Sequence, residues 1–168
     1  MGRMPDMFAG QKIKARFPYL MNAELTVAFS TSGVVFQDVL FTNQADKPFE
    51  IHRLIPRVVG LDNTGLVNSP QADQDLMNAL VRLDILDFRT NQKFTKAPCL
   101  ILDMVKGSAE RTWEFAEPYT LPNSGGFQVA VSTLASPTVA PFVLITQLSV
   151  QVCFEGFLLQ VAAPSDSR

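Results

Sequence analysis

The sequence WEFAEPYTL, Trp113–Leu121, and the sequence FQVAV, residues 127–131, indicate the fold class most directly. Trp113 and Phe115 share one face of an extended chain. In the second stretch, strongly apolar residues alternate with less apolar ones, which is the period of a half-buried strand. Residues 123–126, NSGG, predict a turn, because two glycines accept positive φ without steric cost. The pattern predicts two β-strands that pack a core, the first of them bent or ended by its proline.

The rest of the chain repeats this pattern of short extended runs separated by clusters of Gly, Pro, Asn, Asp and Ser. A short helix is predicted over about residues 70–78, because Ser69 suits the N-cap and Pro70 the first helical position. The further strand-like runs cover residues 23–29, 34–41, 49–55, 78–89, 98–102, 142–154 and 157–161. The predicted core side chains are Trp113, Phe115, Phe127, Val129, Val131, Phe142, Leu144, Leu148, Val150 and Val152.

These elements predict an all-β protein of eight to ten strands with at most one short helix. About eight strands with long connections favour a jelly-roll-like antiparallel β-sandwich. An immunoglobulin-like sandwich is the alternative, but the cysteines and the tryptophan lack its spacing. At 168 residues the chain is predicted to form one domain over residues 21–163, with an N-terminal arm, residues 1–20, and a polar tail, residues 164–168.

The charge of the chain is nearly balanced but unevenly distributed. The formal net charge is −2, yet residues 1–20 carry four basic side chains against one acidic side chain. The body has an excess of acidic residues, which argues against binding of nucleic acid, and no apolar run is long enough to span a membrane. Only 18% of the residues are charged and 13 are phenylalanine, which favours a surface partly covered by neighbouring subunits.

The sequence contains little that could carry out chemistry. His52 is the only histidine, which excludes a multi-histidine metal site and leaves a catalytic triad a single possible base, with no G-x-S-x-G motif to accompany it. Glu114 and Glu117 are three residues apart, an odd number, so they lie on opposite faces of a regular strand. Cys99 and Cys153 are interpreted as free thiols in apolar strands. The prediction is a non-enzymatic protein without metal or cofactor.

The predicted arm combines cations with apolar side chains. Such a segment has too few apolar residues to offset its ordering entropy alone, so we expect it to order on a partner. The residues predicted to contact that partner are Lys12, Lys14, Arg16, Phe17 and Tyr19.

The strand layout over residues 23–161 resembles that of the jelly-roll capsid decoration, or cement, proteins of tailed bacteriophages. Three stretches carry the resemblance: FEIHRL at residues 49–54, W-x-F-x-x-P-Y-x-L at Trp113–Leu121 and F-x-V-x-V at residues 127–131. The resemblance implies a virion protein of the capsid surface, made in the host cytoplasm. Its implied partners are major capsid protein subunits and further copies of itself, most simply in a trimer.

Two other classes stay open. One is a major coat, tail or base-plate protein of a virus with a β-sandwich fold. The other is a lectin-like carbohydrate-binding module, although tryptophan and tyrosine, on which sugars stack best, are scarce in this chain.

Overall fold

A computed structural model describes residues 12–29, 36–66, 74–95, 97–134 and 144–162 of the chain. The predictions for residues 1–11, for Phe142 and for the tail lie outside the described residues. The strands are β1 (Ile13–Ala28), β2 (Phe36–Thr42), β3 (Phe49–Leu61), β4 (Val81–Asp87), β5 (Gln92–Lys93), β6 (Cys99–Leu100), β7 (Trp113–Leu121), β8 (Gly126–Thr133) and β9 (Gln147–Val161), and the helices are α1 (Gln74–Asn78) and α2 (Ile101–Val105).

The strands form two antiparallel sheets that pack as a sandwich. The first sheet has the order β1-β9-β3-β7, and the second has the order β2-β8-β4-β5, with β6 also paired to β4. The chain therefore changes sheet at each step from β1 to β4 and again from β7 to β9. This is the double Greek-key winding of a jelly roll, and the predicted all-β sandwich is confirmed.

The two stretches that indicate the fold class form neighbouring strands of the chain in different sheets. β7 lies beside β3 in the first sheet, and β8 lies between β2 and β4 in the second. In the turn between them the positive φ falls on Ser124, at 62°, and not on a glycine. Gly126 is needed for another reason, because a side chain there would overlap the carbonyl oxygen of Phe41 on β2.

Strands β7 and β3 each continue through a proline. β7 passes through Pro118 at a wide irregularity, where Glu114 is opposite Arg53 but Tyr119 is already opposite Ile51. The proline therefore does not end β7, and the register of the pairing with β3 shifts around it. Similarly, β3 runs through Pro56 at a point where β7 no longer pairs with it, and a missing donor is tolerated at such an edge.

The core lies between the sheets, and stacked rings of Phe127 and Phe154 lie within it, with centroids 4.7 Å apart. Trp113 and Phe115 are half-buried and pack against this core. The other predicted core residues that the structure buries are Phe127, Val129, Val131, Leu148, Val150 and Val152.

One predicted core residue is wrong. Leu144 is 61% exposed, whereas its neighbour Ile145 is 3% exposed and packs against Gly60. The cause is that β9 begins only at Gln147, so the alternation that holds along β9 does not extend back to Leu144.

A second correction concerns residues 98–102, which were predicted to be a strand. β6 covers only Cys99–Leu100, and the chain then turns into α2. Ile101 and Val105 are both buried and are spaced four residues apart, which places them on one helix face. A short apolar run does not distinguish a buried strand from a buried helix. The predicted helix over about residues 70–78 corresponds to α1, and α2 is a second short helix that the sequence did not predict.

The predicted arm is corrected over Ile13–Leu20, which form the first half of β1. These residues pair with the end of β9, from Glu155 opposite Leu20 to Val161 opposite Ile13. Backbone hydrogen bonds do not require an alternating side-chain pattern, so a long β9 can order this stretch although its sequence lacks strand periodicity.

Candidate interaction surface

Apolar side chains are exposed along one open edge of the sandwich, which we call the β1/β2 edge because β1 and β2 are the edge strands of their sheets there. In the described part of the chain, seven large hydrophobic side chains are exposed. Four of them lie on these two strands: Ile13, Phe17, Leu20 and Leu40. Exposed apolar side chains that are grouped on one edge are a common feature of interaction surfaces.

A cleft of about 290 Å³ separates the two strands at this edge. Tyr19, Leu20, Leu40 and Thr42 are among the residues that line it. Leu20 and Leu40 are each 56% exposed, which leaves two aliphatic side chains in solvent at its rim. The cleft is therefore a place where a partner could bury apolar surface from both sheets at once.

The structure places most of the predicted partner contacts on this edge. Lys12, Lys14 and Arg16 are exposed, and the Arg16 guanidinium also donates to Glu50 Oε2 at 3.3 Å. Phe17 is 45% exposed.

Tyr19 differs from these four residues. It is half-buried, and its ring packs edge-to-face on Phe49 with centroids 5.0 Å apart. Part of Tyr19 therefore packs within its own chain, because its side chain points towards the core side of the sheet, and its role as a partner contact stays a prediction.

Beside the edge, the outer face of the first sheet carries a shallow groove of about 580 Å³. Its lining combines the apolar side chains of Pro18, Leu20 and Phe157 with the polar side chains of Arg53 and Glu155. A register shift in β3 between Ile51 and Arg53 accompanies the groove. Gly156 is required at its base, since a side chain there would overlap the backbone of Glu50.

Arg53 is the centre of an ion network in this groove. Its Nε and Nη2 donate to the two carboxylate oxygens of Glu155 at 2.7 and 2.9 Å, and its Nη1 donates to Glu110 at 2.9 Å. The hydrogen bond from Arg53 lowers the pKa of Glu155, against the opposing effect of burial. A bidentate pair of this kind fixes both side chains in one geometry.

Glu50 and His52 form the second polar group of the same face. Glu50 Oε1 lies 2.8 Å from His52 Nε2, while Oε2 accepts from Arg16. The His52 ring also packs edge-to-face on Phe157, with centroids 5.4 Å apart. Both carboxylate oxygens of Glu50 are therefore engaged, and this arrangement orders the sheet surface.

Sequence reasoning missed this network. Glu50 and His52 are two residues apart, which is a local signal, but Arg53 and Glu155 meet only because β3 pairs with β9. Within the described ranges, no group of three His, Cys, Asp or Glu side chains could hold a metal ion. Both cysteines are free and half-buried.

A buried polar contact links the two sheets at another point. The hydroxyl of Tyr119 on β7 donates to Asp87 Oδ2 on β4, and Oδ1 of Asp87 accepts from the backbone N–H groups of Arg89 and Thr90 at 2.8 and 3.3 Å. Burial, followed by the hydrogen bond to Asp87, raises the pKa of Tyr119. Because both carboxylate oxygens of Asp87 accept hydrogen bonds within the chain, we interpret the pair as structural.

In the described part of the chain, no helix combines the length and the apolar character needed to cross a membrane. A scan against protein-family models, a search of the curated proteins and a search of the solved structures each find no match for this chain.

Proposed function

We propose that this chain is a non-enzymatic virion structural protein that binds and stabilises the outer surface of a phage capsid. The observation that carries the proposal is the β1/β2 edge, where exposed apolar side chains lie beside exposed cations on a jelly-roll framework. The resemblance of the sequence to capsid decoration proteins supplies the identity of the partner, a major capsid protein subunit. It also supplies the proposed homotrimer and the location on the capsid surface.

The edge has the properties that attachment requires. Covering a fully exposed Phe-sized side chain contributes about 1.5–3 kcal/mol, and Phe17, being 45% exposed, would contribute a fraction of this. Leu20 and Leu40 would add to this burial. Lys12 and Lys14 lie at the rim, where charges govern the association rate and the salt dependence more than the final affinity.

The test is cosedimentation of the full chain with capsids purified from the phage whose genome encodes it and stripped of this protein. We expect the wild-type chain to bind, and Phe17→Ala to bind several-fold more weakly. Leu66→Ala is the matched control, because Leu66 is also exposed, at 67%, but follows β3, which β9 separates from β1. Failure of the wild-type chain to cosediment, or equal binding by Phe17→Ala, would contradict the proposal.

The structure also changes how the N-terminal segment should be tested. Deletion of residues 1–20 would remove half of β1 and its pairing with β9, so a loss of binding could reflect unfolding. Deletion of residues 1–11 leaves the whole of β1 in place. We expect this shorter deletion to fold, and its capsid affinity reports on the segment alone.

A carbohydrate-binding module is the second candidate, and the groove around Arg53 favours it. A groove that combines an apolar wall with fixed donors and acceptors suits sugar hydroxyls as well as protein partners. A glycan array separates the candidates: binding that Phe157→Ala abolishes would favour the module, and a blank array together with capsid binding would favour decoration.

A further inference from the structure

Along β1, alternate residues direct their backbone N–H and C=O groups towards β9, and the register shows which residues these are. Phe29 N–H, at the end of the ladder, donates to Thr146 O at 2.8 Å, and the register with β9 is unbroken from Ala15 to Ala28. Successive residues of a strand direct their N–H and C=O groups to opposite sides. Odd-numbered residues of this stretch therefore bond to β9, and even-numbered residues direct their backbone groups away from it.

The side of β1 that faces away from β9 has no strand partner among the described residues. Pro18 is one of the even-numbered residues whose backbone groups point away from β9. Its missing N–H therefore costs no hydrogen bond to β9. Proline is found in strands at such edge positions. The outward backbone N–H groups that remain belong to Arg16, Leu20, Asn22, Glu24, Thr26 and Ala28.

The charges of β1 are arranged so that two copies of the strand complement each other when antiparallel. Lys14 and Arg16 lie in its first half, Lys12 directly precedes it, and Glu24 lies in its second half. If Leu20 is opposite Leu20 of a second copy, Arg16 is directly opposite the partner's Glu24, and this pairing occurs twice. A parallel arrangement would instead place like charges side by side, which is destabilising.

We propose that β1 is a self-association strand, which pairs antiparallel with β1 of a second copy about a two-fold axis at Leu20. The first sheet of one copy then continues into the first sheet of the other, so that one sheet extends across the dimer. The contact covers Leu20, which is 56% exposed, and pairs a row of backbone groups that have no strand partner within the described ranges. It rests on β1 alone, does not depend on the capsid proposal, and is an alternative to the trimer that the resemblance implies, because a two-fold contact closes at two copies.

Asn22→Pro tests the contact through the backbone. It removes an outward N–H, as Pro18 already does, and leaves the bonds to β9 in place. Asn22→Ala is the matched control, because it removes the side chain and keeps the N–H. We expect the wild-type chain to sediment as a dimer at about 10 μM, Asn22→Ala to do the same, and Asn22→Pro to dissociate at least about 10-fold more readily.

Charge reversal provides a second variant, whose fold does not depend on a proline. Glu24 accepts hydrogen bonds from Ser149 and Gln151 of its own chain at 2.7 and 3.3 Å, and Glu24→Arg removes these as well. The variant would place cations opposite Arg16 and should weaken the dimer several-fold, more at low than at high salt, and this salt dependence distinguishes charge repulsion from the lost hydrogen bonds. Glu117→Arg on the exposed part of β7 makes the same change in net charge and should leave the dimer intact.

The wild-type chain allows a test without any substitution. Amide hydrogen exchange at Leu20, Asn22 and Glu24 should slow as the concentration rises from about 0.1 to 100 μM, while the exchange of odd-numbered neighbours is unchanged. Three results would overturn the proposal: a single-chain mass at 100 μM, a three-chain mass that Asn22→Pro does not alter, or exchange rates independent of concentration.

Discussion

The two halves of β1 pair with the same strand, β9, but differ in how deeply their side chains are buried. Along Ile13–Leu20 every side chain is exposed or half-buried, whereas from Met21 onwards buried and exposed side chains alternate strictly. Both halves form the same kind of antiparallel ladder with β9. The difference arises because only the second half packs extensively against the opposite sheet. Hydrogen bonding therefore orders a strand without burying it, and the stability that side chains supply depends on contact between sheets.

The largest expected effect lies in the second half of β1. Leu25 is 3% exposed and packs in the core, so Leu25→Ala should lower the free energy of unfolding by about 2–5 kcal/mol. Urea denaturation followed by fluorescence of Trp113 measures this change. A loss below about 1 kcal/mol would show that the second half of β1 is no better packed than the first.

The next effect comes from the polar contact between sheets. Tyr119→Phe leaves Asp87 with its two backbone donors but removes the hydroxyl between β7 and β4, so we expect a loss of about 1–3 kcal/mol. Chemical denaturation at pH 7 measures it. An unchanged unfolding midpoint would contradict a structural role for this hydrogen bond.

The same tyrosine predicts a dependence on alkaline pH. Because its pKa is raised in the folded state, its contribution to stability is complete below the unfolded pKa of about 10 and is lost as the pH rises above that value. Wild-type protein should therefore lose stability above about pH 10 more steeply than Tyr119→Phe does. Parallel stability–pH curves for the two proteins would refute this assignment.

A smaller effect is expected within the outer face of the first sheet. Arg53 lowers the pKa of Glu155, so their contact contributes stability above the unfolded glutamate pKa, about 4.3, and loses it as the pH falls below that value. Glu155→Gln should remove this part of the acid sensitivity, with a small change at pH 7 because the pair is partly exposed. Thermal unfolding of the wild-type and Glu155→Gln proteins between pH 3 and 7 measures the acid sensitivity and the change at pH 7. If the stability of the two proteins fell equally steeply with decreasing pH, the contact between Arg53 and Glu155 would not be the cause.

The smallest effect on stability lies in the first half of β1. Phe17→Ala should change the free energy of unfolding by about 0.5 kcal/mol or less, because the side chain is 45% exposed and lies outside the core. The same denaturation assay as for Leu25→Ala provides the comparison. A loss that approaches that of Leu25→Ala would mean that both halves of β1 are core, and would remove Phe17 from the candidate surface.

The β-sandwich was determined by the sequence itself, because alternating runs such as residues 127–131 and the turns between them are local features. The same locality explains why Phe127, Val129 and Val131 could be assigned to the core. Alternation reports which side of a strand is buried, and it requires no knowledge of the partner strand.

The tertiary structure alone decided where that local rule stops and which strands meet. Ile13–Leu20 became strand because β9 extends far enough to pair with them, and Leu144 became exposed because β9 begins three residues later. Arg53 and Glu155 are 102 residues apart in the chain and meet through the pairing of β3 with β9. Pairing between distant strands depends on the closure of the whole sandwich, so no short stretch of sequence contains it, and the open β1/β2 edge follows from that closure as well.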